Sequence, residues 1–317
     1  MATRDLHTPV LLERAIDLLG PAVDVDNAVL VDATLGMGGH SEAFLTRFPS
    51  LTVVGLDRDP EALELAGERL APFGDRVKLV HTEFDGIDAA LKRLRIRRVQ
   101  GALFDLGVSS LQLDRVDRGF SYSKDAPLDM RMDTTSQLTA ERILAEYSES
   151  ELRRIFYEYG EEKLSSRYAR RIVQERTAHP FVRSAQLVDL IAAATPAAVQ
   201  RSGHPAKRVF QALRIEVNQE LASLEAALPR AVDALAVGGR IVVMAYQSLE
   251  DRIVKRFLQA KSSSTAPAGL PVELPEHRPE LRLLLRGAEL ANEDEKAANP
   301  RATSVRLRAA ERVRGNS

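Results

Sequence analysis

Leu30-Val31-Asp32-Ala33-Thr34-Leu35-Gly36-Met37-Gly38-Gly39-His40-Ser41 is the stretch on which the reading of this chain turns. An apolar, β-branched run ends in a glycine-dense turn, and a helix-like segment from Ser41 to Phe48 opens directly after it. Strand, glycine turn and helix start, in that order, are how a doubly wound α/β domain grips a nucleoside cofactor. Glycines let the backbone approach the ligand, and the free N–H groups of the next helix offer partial positive charge to an anionic group. A second apolar run, Leu51-Thr52-Val53-Val54-Gly55-Leu56, ends about twenty residues on in Asp57. An acid there is placed to accept both hydroxyls of a ribose. The pattern implies an adenosine-type cofactor.

The glycine spacing narrows the choice. A dinucleotide fingerprint reads G-x-G-x-x-G, its last glycine letting helix and strand close around a pyrophosphate. Gly36 and Gly38 match, but Ser41 holds the third place, after Gly39 and His40, and no G-x-x-x-x-G-K-[ST] loop occurs. A nicotinamide oxidoreductase is disfavoured accordingly. A G-x-G-G turn without a pyrophosphate cradle fits S-adenosylmethionine, which carries a carboxylate and a ribose but no phosphate. The bland alternative, a glycine turn that binds nothing, is opposed by Asp57 at the ribose distance.

At 317 residues the chain is longer than a usual single domain, so two are expected. A net charge of −1 means that any nucleic-acid surface must be local. The absence of cysteine excludes disulfides, thiolate zinc sites and a cysteine nucleophile, and the six histidines show no metal spacing. The N-terminus lacks a charged-then-apolar leader, and no apolar run approaches a membrane span. A cytoplasmic enzyme without metal or membrane attachment is the expectation.

Short apolar runs alternate with helical patterns in two blocks. Thr8-Pro9 predicts the start of a helix with an apolar face of Val10, Leu11, Ala15, Leu18 and Leu19, ending at Gly20. Strands are predicted at 28–32, 51–56, 77–81 and 101–106, with helices near 60–70 and 85–94 between them. The series resumes with one long helix from about Lys207. A turn at Val237-Gly238-Gly239, a strand over 240–246 and a helix over 249–259 follow, then a proline-rich loop over 262–279. Further strands at 281–285 and 304–307 could complete the sheet.

Between Leu113 and Pro205 about ninety residues show helical periodicity and no convincing strand. That is too long for a loop and predicts an inserted helical subdomain, leaving the sheet beside Asp105 where ligands sit in such folds. The predicted organisation is a first sheet part over 1–112, the insertion over 113–206 and a second sheet part over 207–317. From Glu141 to Arg214 thirteen Lys and Arg stand against nine Asp and Glu, an excess of four. One reading is a solvated helix surface. The other is a wall for a phosphate backbone, with Arg167, Arg170 and Arg171 contacting phosphates and Tyr168 stacking on bases.

Several blocks resemble one family in its own order. They are His7-Thr8-Pro9-Val10-Leu11-Leu12, the cofactor loop from Asp32 to Ser41, and Asp105-Leu106-Gly107-Val108-Ser109-Ser110 with Gln112-Leu113-Asp114. Arg118-Gly119-Phe120-Ser121, Pro127-Leu128-Asp129-Met130-Arg131-Met132-Asp133 and His204-Pro205-Ala206-Lys207-Arg208 follow. The last are Phe210 through Asn218 and Ser248 through Phe257. Over nearly its whole length the chain resembles the bacterial small-subunit ribosomal RNA methyltransferase H family. The resemblance implies a Rossmann-like, class I S-adenosylmethionine-dependent sheet with an all-helical insertion. It also implies methylation of the exocyclic N4 amine of a cytidine in the decoding region of 16S rRNA, in the small ribosomal subunit. A methyltransferase acting on DNA or protein is the alternative, and a homodimer is left open.

The implied cofactor contacts are Gly38, Gly39 and His40 at the methionine end, Asp57 at the ribose, Phe84 against the adenine, and Asp105 and Gln112 near the reacting centre. Methyl transfer from a sulfonium is an in-line displacement with a good leaving group, so alignment contributes much of the acceleration. A cytosine amine is a weak nucleophile, and an acceptor bonding one N–H orients its lone pair. The D/N-P-P-Y/F motif that serves this purpose elsewhere is missing, which leaves Asp105 and Ser109 as the catalytic candidates. Arg167, Arg170, Arg171, Lys207, Arg208 and Asn218 are the candidate RNA contacts. In one departure, Tyr246-Gln247 stands where the family usually has Phe-His. Glutamine cannot take a proton at neutral pH, so the position reads as polar packing or substrate contact.

Overall fold

The apolar runs become seven strands: β1 (Val29–Asp32), β2 (Thr52–Asp57), β3 (Val77–His81), β4 (Val99–Asp105), β5 (Leu235–Ala245), β6 (Leu281–Leu283) and β7 (Arg306–Arg312). The computed structural model describes residues 9–197, 204–267 and 274–315. The Thr8 cap, His7 and the middle of the 262–279 loop therefore lie outside the described residues. The strands form one sheet in the order β3-β2-β1-β4-β5-β7-β6. Strands β1 to β5 run parallel, while β7 is antiparallel to both β5 and β6. This is a Rossmann-like, doubly wound α/β sheet. Its strand order reverses between β1 and β4, the switch point outside whose carboxyl ends such sheets bind ligands. Asp32, Asp57 and Asp105 end β1, β2 and β4.

The strand runs are continuously apolar because both faces are covered. Val31, Val54, Phe104 and Val243 pack into one cluster with Leu228 and Leu258. Their neighbours Leu30, Val53, Leu103 and Val242 pack into the other with Leu19 and Phe44. The chain divides into two compact units, Met1–Gly107 with Leu221–Ser317, and Val108–Glu220. The second is helical, with Leu144, Ile155, Phe156, Ile172, Leu190 and Leu213 in one buried cluster. Helix Ala206–Asn218 buries Val209, Phe210 and Val217 in that cluster, so it belongs to the helical unit.

Three local expectations are corrected. The first helix spans Leu12–Val23 and runs through Gly20-Pro21. A residue before proline is pushed out of the α region largely through its Cβ, which Gly20 lacks, and Ala22 and Val23 are both buried. Its start is set at Leu11, left-handed at φ 49, whose N–H is taken by Glu295. The single helix from Lys207 is two, Ala206–Asn218 and Glu220–Ala234, interrupted by left-handed Gln219 where the chain passes from one unit to the other. Val237-Gly238-Gly239 is a bulge within β5 and not a turn before it. Leu235 pairs with Val99 and Arg240 with Gly101, and Gly238 takes φ 83 to absorb the extra residues.

Candidate active site

The glycine loop is built around Asp57. Gly36 adopts φ +52, and its N–H donates to Asp57 Oδ2 at 2.7 Å. Asp57 Oδ1 accepts the Asp59 N–H at 2.9 Å. Gly38, at φ 78, precedes helix Gly39–Arg47, whose first turn no side chain caps. A Cβ on Gly39 would lie 2.7 Å from Pro9 Cγ, so the helix start is closely packed on the N-terminal segment. Burial pushes the Asp57 carboxyl up to about 6, against the two N–H bonds that hold it down.

Asp32, Asp105, His40 and Tyr246 form the second half of the site. Asp32 is buried and accepts the Ser41 hydroxyl at 2.7 Å; burial raises its carboxyl above the usual range. Thr34 Oγ1 accepts the Asp105 N–H at 2.6 Å, tying the loop to the end of β4. Asp105 Oδ1 accepts the Tyr246 hydroxyl at 2.6 Å, while Oδ2 faces His40 Nδ1 at 3.8 Å. His40 Nε2 lies 3.1 Å from the Val10 carbonyl, which assigns that nitrogen the proton. The Asp105 side chain keeps 26% of its surface exposed. Burial raises its carboxyl, opposed by His40 and by the Tyr246 hydroxyl. Phe84, just after β3, is partly buried and meets Phe104 edge-on with ring centroids 6.1 Å apart.

These groups fit an adenosyl cofactor. The uncapped helix start suits a carboxylate. Open space above Gly36 leaves room for a ligand at the loop. Each Asp57 oxygen accepts one backbone bond and retains a lone pair for a ribose hydroxyl. Asp105 presents a partly exposed acceptor at the end of β4.

Tyr246 is the site residue that the sequence reading missed. The signal was a tyrosine where the family usually has phenylalanine, but only the fold shows its hydroxyl reaching Asp105. Gln247 precedes helix Ser248–Lys261 and donates to Glu250 Oε1 at 2.8 Å. Glu250 Oε2 in turn accepts the backbone N–H of Tyr246 at 2.9 Å. Gln247 is thus polar packing at a helix start.

The remaining candidates belong to the helical unit. Ser109 and Gln112 bind each other in a capping box: Ser109 N–H donates to Gln112 Oε1 at 3.1 Å, and Gln112 N–H to Ser109 Oγ at 3.2 Å. Arg167, Arg170 and Arg171 lie exposed along helix Ser165–Glu175. Arg167 donates to the Ala194 carbonyl, Arg170 faces Glu149 at 3.7 Å, and Arg171 pairs with Glu175. Tyr168 does not share that surface. It is 1% exposed in the helical core, its hydroxyl 2.7 Å from Thr195 Oγ1, because positions 168, 169 and 172 form the helix's apolar stripe. Lys207 and Arg208 are exposed, and Arg208 donates to the Glu161 carbonyl at 3.0 Å. Asn218 is buried, accepting Met132 N–H and donating to the Met130 carbonyl, so it is not a surface contact. Among the described residues no cluster of His, Cys, Asp or Glu could hold a metal, and no helix is long and apolar enough to cross a membrane.

Residues 4–313 match the family described as the MraW methylase family. A relative from Leifsonia xyli, named ribosomal RNA small subunit methyltransferase H, is 74% identical over 312 residues, covering 98% of this chain and 96% of its own. One of the same name from Clavibacter michiganensis is 72% identical over 314 residues, covering 99% of both chains. With the match running from residue 4 to residue 313 and identity this high across it, the chain belongs to the MraW methylase family.

Proposed function

We propose that this protein transfers the methyl group of S-adenosylmethionine to the exocyclic N4 amine of a cytidine in the decoding region of 16S rRNA. The observation that carries the reading is Asp105, a partly exposed carboxylate held beside the glycine loop by Thr34 and Tyr246. It stands in a chain whose relatives are named for methylating small-subunit rRNA.

The cofactor supplies an electrophilic methyl carbon on a positively charged sulfur. The protein supplies alignment, the larger part of what an in-line transfer needs. The first turn of helix Gly39–Arg47 receives the carboxylate of the methionine moiety, and Asp57 takes the ribose hydroxyls. Phe84 offers an aromatic face to the adenine. The Asp105 carboxylate accepts one N–H of the target amine and turns its lone pair toward the methyl group. The target base leaves its stack to reach these groups. Arg167, Arg170, Arg171, Lys207 and Arg208 hold the RNA backbone electrostatically.

The test is incubation of purified protein and labelled S-adenosylmethionine with small subunits from cells lacking this activity, followed by mass mapping of nucleosides. N4-methylcytidine at a single decoding-region position is expected. Label appearing instead on DNA, on protein or on another base would replace the reading with a different methyltransferase.

A further inference from the structure

We propose that Tyr246 is a positioning residue for this reaction: its hydroxyl, donated to Asp105 Oδ1, sets the rotation of the carboxylate so that Oδ2 is presented to the target amine. The inference rests on the reading of Asp105 given above.

The Asp105 carboxylate has one hydrogen bond among the described residues, the 2.6 Å bond from Tyr246. His40 Nδ1, at 3.8 Å from Oδ2, is beyond hydrogen-bonding distance. A carboxylate held at one oxygen by a fixed donor cannot turn freely about its terminal torsion, and its second oxygen keeps one direction. The donor itself is fixed. Tyr246 follows β5 directly, its N–H is bound by Glu250 Oε2, and its ring packs among the apolar residues on one face of the sheet. A Cβ at Gly107, left-handed at φ 98, would touch that ring at 3.6 Å, so the end of β4 and the ring fit closely.

The charged and titratable groups that face the pair come from four elements. His40 lies on helix Gly39–Arg47, Asp32 on β1, Glu250 on helix Ser248–Lys261 and Glu295 on helix Glu293–Ala298. Three of the four are acidic. Burial first, then the Asp105 carboxylate that its hydroxyl bonds, with Glu250 and Glu295, hold the phenol well above its usual range, so Tyr246 stays an O–H donor. A hydrogen bond to the charged form of a carboxyl favours that form, so the hydroxyl also helps keep Asp105 an acceptor. A phenylalanine would fill the same ring volume without supplying the donor.

The experiment is Tyr246→Phe, an isosteric change in which the ring is retained, made alone and together with Asp105→Asn. Single-turnover rates at saturating S-adenosylmethionine are followed against pH, and Asp105 is followed by 13C NMR of aspartate-labelled protein. Tyr246→Phe is expected to move the acid limb of the rate profile, and the Asp105 titration with it, upward by about half to one pH unit. In the Asp105→Asn background the same change should alter the rate by less than about twofold, as a residue acting through Asp105 requires. The inference is overturned if Tyr246→Phe leaves both the rate profile and the Asp105 resonance in place. It is equally overturned if Tyr246→Phe lowers the rate by the same factor in both backgrounds. An Asp105→Asn variant with the wild-type rate would instead reject the reading of Asp105, and this inference with it.

Discussion

Asp57 holds the Gly36 and Asp59 N–H groups and, in the proposed function, takes the ribose hydroxyls as well, so its behaviour should report both duties. Asp57→Ala is expected to weaken S-adenosylhomocysteine binding by about 1.5–3 kcal/mol, the value of a charge-assisted acceptor. It should also lower the melting temperature, because two loop N–H groups lose their partner. Calorimetric titration reads the first effect and a thermal melt the second. The carboxyl is raised from 3.8 to about 6 by burial. A raised folded-state value means that its stabilising contribution is fully present below pH 3.8 and lost as pH rises through about 6. Cofactor affinity should move the other way, falling as pH drops below about 6, because only the ionised form is a charged acceptor for the ribose. Titrations at pH 5 and pH 8 check that sign. At Gln247, engaged with Glu250, Gln247→His should neither raise turnover nor add an ionisation near pH 6.5 to the rate profile. The acids at strand ends and the glycine spacing were legible in the sequence because both follow from the strand–turn–helix order. The Tyr246 contact was not, since it joins residues 141 positions apart.

At the scale of elements, the family blocks of the helical unit lock into one another. Gly119 takes φ +74, and a Cβ there would lie 2.2 Å from the Pro127 carbonyl oxygen. Buried Arg118 donates to the carbonyls of Arg131 and Met132. Asn218, from the end of helix Ala206–Asn218, binds Met130 and Met132, with Met130 itself left-handed at φ 61. Asn218→Ala should therefore destabilise the protein by about 1–3 kcal/mol for each buried backbone group left without a partner. A denaturant titration of the full chain measures it, and hydrogen exchange should show the loss concentrated over residues 118–133. A surface RNA contact at this position would predict unchanged stability instead. The sequence reading had these blocks in order, but the side-chain bonds that unite them span up to 88 positions and follow from no local pattern.

For the whole molecule, a net charge of −1 places the burden of RNA attraction on local surface. Replacing Arg167, Arg170 and Arg171 together by alanine should leave the melting temperature within about 2 °C, since exposed ion pairs contribute little. Affinity for the small-subunit RNA should fall, and its salt dependence should flatten by about one phosphate contact per arginine. Binding measured across a salt series decides this; an unchanged slope would leave those arginines as solvated surface.

The sequence alone determined the parallel α/β class, the helical insertion and the adenosyl-type loop. Each is written in short-range signals: apolar periodicity, glycines at turns, an acid one strand later. Tertiary structure decided what those signals leave open. Tyr168 and Asn218, which the sequence placed on an RNA face, are buried, because a helix's apolar stripe and an unmet backbone carbonyl take precedence over surface roles. Gln247, read as polar packing or substrate contact, serves a helix start. Tyr246, read only as a departure from a pattern, is the residue bound to Asp105, because the close of β5 beside β4 brings a hydroxyl within reach of a partly exposed carboxylate that has no other donor among the described residues.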